Sequence, residues 1–154
     1  MSKPAFTCTA SVAYLPEQSQ PSAGTHAFAY TITIVNSGDI AAQLVGRHWI
    51  VCDASGHTEE VRGLAVVGHQ PLLKPGEKFE YTSWTRLATP QGTMRGTFFC
   101  MTEDAHPFDA PVPEFVLTRP AAETATQPYP RFRRVLTDER LIIVDREHVA
   151  DITL

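Results

Sequence analysis

The stretch GRHWIVCDASGHTEEVRGLAVVGHQP, Gly46 to Pro71, decides how this chain is read. Its two halves have strand-like composition and are joined by Asp53-Ala54-Ser55-Gly56, a run of turn formers. Two extended runs about a tight turn make a hairpin. Alternation sets Val45, Arg47, Trp49 and Val51 on one side of the first half, against Leu44, His48, Ile50 and Cys52 on the other. The second half runs from Thr58 to Val67 and contains a glycine-flanked apolar run, Gly63 to Gly68. The hairpin therefore presents charged and aromatic side chains, Arg47, His48 and Trp49 foremost.

Working outward, the same period of two recurs. In Ala27–Val35, Phe28, Tyr30, Ile32 and Ile34 fall on one face and Ala29, Thr31 and Thr33 on the other. Asn36-Ser37-Gly38-Asp39 ends that strand as a turn. Phe6–Tyr14 supplies a first strand. After the Pro75-Gly76 turn, Phe79, Tyr81 and Ser83 share a face, and Pro90-Gln91-Gly92 precedes a strand from Met94 to Met101. A last strand runs from Phe108 to Leu117. About seven short strands with turn signals between them, and no helix before residue 120, describe an all-β chain. The expected architecture is a fibronectin type III/immunoglobulin-like β-sandwich, the fibronectin form being favoured because the antibody Cys–Trp–Cys spacing is absent.

Composition bounds the function. The 154 residues suit one domain, and 43% hydrophobic with 19% charged residues is a globular balance. A net charge of −4 gives no positive field for nucleic acid or an anionic membrane, so neither is expected as a partner. No run approaches the ~20 apolar residues of a membrane helix. Cys8, Cys52 and Cys100 are far apart and form no C-x-x-C pair, which fits small apolar fillers in a reducing, cytoplasmic setting. Composition shifts at Pro120. We read residues 1–120 as the sandwich, 121–130 as a linker, and 131–154 as a C-terminal tail, a strand or short helix docking on the sandwich or on a neighbour.

The segments YLPEQS (Tyr14–Ser19), FAYTITIVNSGD (Phe28–Asp39), GRHWIV (Gly46–Val51), EEVRG (Glu59–Gly63), VVGHQPLLKPGEKFEYTS (Val66–Ser83) and LATPQGTMRGTF (Leu87–Phe98) resemble the ApaG (CorD) family in its own order. The resemblance implies a fibronectin type III-like sandwich. It also implies a binding module, since the same unit occurs in short bacterial proteins and inside larger eukaryotic ones, an F-box protein and a polymerase-delta-interacting protein among them. Bacterial members are linked genetically to cobalt resistance and magnesium efflux. The tail from Ala121 onward is outside the short bacterial pattern, so the resemblance says nothing of it.

Four chemistries present themselves. The family's G-x-G-x-x-G, discussed as a pyrophosphate loop, is here Gly63, Ala65 and Gly68. With alanine in the middle, and Pro71 and Val66-Val67 opposing a helix, the plainer reading is glycines relieving crowding at a sheet edge. Arg47, His48, Trp49, Arg62 and Arg95, with His69, are the candidate partner-binding set, a surface for an anion or acidic peptide, arginine beside tryptophan being a common interface anchor. The alternative is that Trp49 fills the core while Arg47 and Arg62 pair with Glu59 or Glu60. The histidines His26, His48, His57, His69, His106 and His148 form no ligand motif; His48, His57 and His69 are the nearest to converging, and Glu103, Asp104 and Asp109 read as solvated turn acids. No metal or other cofactor is assigned. No nucleophile elbow is present, so catalysis is the weakest class. The sequence thus favours a non-enzymatic ApaG-type module acting by protein–protein contact, with a homodimer among the assemblies considered. A nucleotide- or metal-responsive protein using Gly63–Gly68, tied to divalent-cation homeostasis, is the alternative.

Overall fold

The structure, a computed structural model, describes residues 2–119 together with Leu136, Thr137, Arg140 and Leu141. The linker read at 121–130, and the tail apart from those four residues, lie outside the described residues. Eight strands build the body: β1 (Phe6–Tyr14), β2 (His26–Asn36), β3 (Ala42–Asp53), β4 (Thr58–Leu64), β5 (Leu72–Leu73), β6 (Lys78–Leu87), β7 (Gln91–Thr102) and β8 (Pro107–Thr118). Two short pieces, β9 (Leu136–Thr137) and β10 (Arg140–Leu141), pair with each other. Short 3₁₀ turns at Pro16–Gln18 and Pro21–Ala23 carry the chain from β1 to β2. No helix among the described residues is long and apolar enough to cross a membrane.

The strands form two antiparallel sheets, one of order β1-β2-β6 and one of order β4-β3-β7-β8 with β5 added to β3. Alternation decides what lies between them. Phe28, Tyr30, Ile32 and Ile34 of β2 face Leu44, Trp49 and Val51 of β3 and Met94 and Phe98 of β7 in one core. A register shift between Leu44 and Gly46 inserts one residue into β3, so Leu44 and Trp49 both point inward although five positions separate them. Trp49 lies edge-on to Tyr30, Phe98 and Phe115, with ring centroids at 5.7, 5.7 and 6.2 Å. Cys8 and Cys100 are buried fillers, and burial pushes both thiols up to about 12; the three cysteines are free.

The sandwich closes along β1 and β8, where Phe6 meets Phe108 edge-on at 5.5 Å. On the other side, β6 and β4 are the outer strands of their sheets and the layers part. The turns expected at Asn36–Asp39, Asp53–Gly56 and Pro75-Gly76 formed; Gln91 and Gly92, expected in a turn, instead begin β7, and the bend before it lies at 88–90. Two of the turns are held by side chains. Asp53 accepts from the Ser55 and His57 backbone amides at 2.8 and 3.0 Å. Asn36 is 2% exposed; its amide donates to the carbonyls of Ile40 (2.9 Å) and Leu73 (2.8 Å), and its oxygen accepts from the Gly38 amide. Because Leu73 belongs to the opposite sheet, Asn36 ties the two layers together. Asn36→Ala is expected to lower the unfolding free energy by about 3 kcal/mol in urea titration, three bonds, one buried and two partly buried, at about 1 kcal/mol each. A near-neutral result would show the turn to be held by its backbone alone.

Candidate binding cleft

Strand register separates the residues that the sequence had gathered into one surface. Arg47 is opposite Gly63, and His48 is opposite Arg62. Adjacent positions point to opposite faces, so Arg47 and Trp49 turn inward while His48, Arg62 and Arg95 stand on the outer face of the larger sheet. The expected common anchor surface of Arg47, Trp49 and Arg62 is therefore corrected. Trp49 is 2% exposed and is a core residue, unavailable to a partner.

Arg47 is a strut. Its Nη1 donates to the carbonyls of Leu64 (3.0 Å) and Ala65 (2.9 Å), holding the chain as it leaves β4. On the outer face His48 is hydrogen-bonded to Glu60 at 2.8 Å, and Arg62 lies 3.9 Å from the same carboxylate. The hydrogen bond with His48, aided by the charges of His48, Arg62 and Arg95, holds the Glu60 carboxyl below its usual range. Exposed pairs of this kind contribute little to stability. The other histidines are dispersed, His57 beside Glu59 at 3.5 Å and the His69 ring tilted against Phe79 with centroids at 5.7 Å. Among the described residues no group of three or more His, Cys, Asp or Glu side chains converges. Asp104 is hydrogen-bonded to Thr102 and paired with His106, within its own turn.

The Gly63–Gly68 run is not a strand continuing to Val67. β4 ends at Leu64, Ala65 has φ 70°, and Val67 and Gly68 have φ 43° and 82°. Val66 and His69 exchange backbone hydrogen bonds at 2.8 Å around Val67-Gly68, a two-residue turn with both central residues left-handed. Each glycine position of the motif thus answers to local geometry. A Cβ at Gly63 would come within 2.8 Å of the Arg47 guanidinium, while position 65 and position 68 need positive φ. Among the described residues no α-helix follows this loop, so it presents no helix dipole to a phosphate.

Where the sheets part, a cleft of about 680 Å³ opens between β4, the Leu64–Gly68 loop and β6. Arg47, Tyr30 and Tyr81 line its inner wall, Val61 its β4 rim, and Trp84 with Arg86 its β6 rim. Arg86 lies over the Trp84 ring at 4.9 Å, a planar cation on an aromatic face. The Tyr81 hydroxyl is buried without a hydrogen-bond partner. Burial, then the neighbouring Tyr30, pushes its pKa well up; the Arg47 charge and the Trp49 indole oppose this. An unpartnered hydroxyl and two arginines on an aromatic wall can receive a polar or acidic group together with an apolar one. Tyr30 and Tyr81 were legible only as residues sharing a strand face, and Trp84 and Arg86 carried no motif at all. Which edge of a sheet is open is a long-range property that local spacing does not carry.

Fold and cleft define an all-β sandwich of fibronectin type III kind with an open flank. The ApaG domain model matches residues 16–102, more than half of the chain. The chain belongs to the ApaG family. Protein ApaG of Ralstonia nicotianae is 59% identical over 120 residues, 78% of this chain and 97% of that relative. Protein ApaG of an Acidovorax species is 62% identical over 104 residues, 68% of this chain and 76% of the relative. A crystal structure of an ApaA protein from Bordetella pertussis is similar at TM-score 0.75 and 50% identity, covering 77% of this chain and 97% of that one.

Because position 65 is left-handed, Ala65→Gly is expected to raise stability by about 1 kcal/mol and Gly68→Ala to lower it by a similar amount. Urea titration of both variants checks this. Destabilisation by Ala65→Gly would mean that the loop is not strained as described.

Proposed function

We propose that this ApaG domain is a non-enzymatic binding module that engages a protein partner at the open flank of the sandwich, with a cytoplasmic setting. The cleft carries this reading. Two edge strands, β4 and β6, face one another across it, and all seven residues of β4 are exposed. A free edge offers unpaired N–H and C=O groups that an extended peptide satisfies, while its side chains enter the gap between the sheets. Tyrosine, tryptophan and arginine, the residue types that dominate interface energetics, line that gap. The free cysteines, two of them buried in the core, support the reducing compartment.

The alternative, a nucleotide-responsive loop at Gly63–Gly68, is weakened because turn geometry and the Arg47 side chain already account for its glycines. The link to cobalt resistance and magnesium efflux implied by the family resemblance is then assigned to the partner. His48, His57 and His69 are each engaged separately.

A photo-crosslinking residue at Val61, on the cleft rim, is expected to capture a distinct protein in growing cells. The same residue at Val116, 58% exposed on the opposite edge of the sheet, is expected to capture none. Equal capture from both positions would contradict the assignment. So would adducts of this chain with itself alone, or no adduct from a full-length protein that binds ATP or diadenosine tetraphosphate in calorimetry.

A further inference from the structure

The two edges of the larger sheet differ in kind. β8, at one edge, carries Pro107, Pro111 and Pro113, and its register with β7 shifts between Met94 and Gly96. Proline and irregular pairing are the devices that keep an edge from recruiting another strand. β4, at the other edge, is Thr58-Glu59-Glu60-Val61-Arg62-Gly63-Leu64. It has no proline, its pairing with β3 is unbroken, and it is exposed along its whole length. Its charges are of both signs, so they attract or repel a second strand according to register.

Backbone bonding narrows the registers open to a second copy of the same strand. Across an antiparallel pair, residues directly opposite each other either both turn their N–H and C=O groups to the partner or both turn them away. Two copies of one edge therefore meet only with even positions opposite even and odd opposite odd. With Val61 opposite Val61, all seven residues are paired. Glu60 then stands opposite Arg62 of the second copy, and Arg62 opposite its Glu60, on the outer face. The next allowed registers on either side set Glu60 against Glu60 or Arg62 against Arg62, and both shorten the ladder. Both contacts that Glu60 makes within the chain, to His48 and to Arg62, fall on Oε1. A carboxylate accepts at both oxygens, so Oε2 is there for Arg62 of the second copy.

The inward side repeats the match. Gly63 has no side chain, and the Arg47 guanidinium takes its place: a Cβ there would stand 2.8 Å from Nη1. In the same register Glu59 of the second copy is opposite Gly63 and so meets Arg47, while the half-exposed Val61 side chains meet between the two charge pairs. Among the described residues Arg47 pairs with no carboxylate and bonds the Leu64 and Ala65 carbonyls, and Glu59 is paired with the exposed His57. We propose that β4 pairs antiparallel with β4 of a second copy, about a two-fold axis through Val61, joining the two larger sheets into one. The contact is isologous, each copy giving and receiving the same charge pairs. A seven-residue edge buries little surface, so the pairing is weak and reversible. The pairing rests on β4 alone; its consequence, that a second copy closes this edge until a protein partner displaces it, rests on the binding reading above.

Sedimentation velocity on the full-length protein tests the pairing. The wild type is expected to pass from monomer to dimer as its concentration rises. Glu60→Arg and Arg62→Glu each set like charges opposite one another at both ends of the axis, and each is expected to weaken the dimer about tenfold or more. Mixed in equal amounts, the two variants are expected to associate with each other as tightly as the wild type does, because every opposite pair is then attractive. Both side chains are exposed, so the circular-dichroism spectrum of each variant is expected to match the wild type. A wild type that stays monomeric at every concentration would overturn the proposal. So would a dimer that neither substitution weakens, or a mixture that fails to associate. The binding reading fails separately. Capture of a distinct protein at Val61 by a strictly monomeric chain spares that reading and ends this one; capture of this chain alone, with the charge-swap behaviour intact, does the reverse.

Discussion

The structure depends on one contact, the Trp49 indole lying across Gly96. The two residues are opposite one another on β3 and β7, and both point into the sandwich. A Cβ at position 96 would stand 2.4 Å from the indole Cε3, so the ring occupies the space that a side chain would need. Held there, Trp49 touches Tyr30 from the facing sheet and Phe98 and Phe115 from its own. This cluster fixes the spacing of the layers near the open flank, while Phe6 and Phe108 close the other. The cleft is what remains when a large ring props two sheets that meet along one edge only.

Much of this was legible in the sequence because alternation is a local signal. Phe6–Tyr14 is the first strand as expected, and the strands expected at 27–35, 44–52, 94–101 and 108–117 lie inside the observed β2, β3, β7 and β8. The Asp53–Gly56 turn and the shared side of Arg47 and Trp49 also stand. Sidedness was not legible: alternation tells which residues travel together and not which face is the interior. Arg47 drew Trp49 toward a surface reading, whereas Arg47 reaches inward to bond the Leu64 and Ala65 carbonyls. Arg62 fell on the wrong side for a register reason. It is opposite His48 and not Arg47, a single-residue offset that reverses the face.

The Gly63–Gly68 run teaches a related point. A glycine pattern invites a ligand, but glycine first answers to backbone geometry. Here Ala65 adopts φ 70° where the family's pattern has glycine, and Val67 φ 43° at a position the pattern leaves open, so the chain bears strain at both. What the loop does for the fold is to reverse the chain and bury Val66, which is 0% exposed, beneath the rim of the cleft.

The most direct test of the Trp49 account is the unfolding free energy of Gly96→Ala in the full-length protein. Overpacking a filled core costs about 1–3 kcal/mol, and a methyl driven into a locked indole belongs at the upper end, about 3 kcal/mol. A loss of that size, with the tryptophan emission altered, is the expected result. A variant within about 0.5 kcal/mol of wild type would contradict the claim that this contact sets the sandwich.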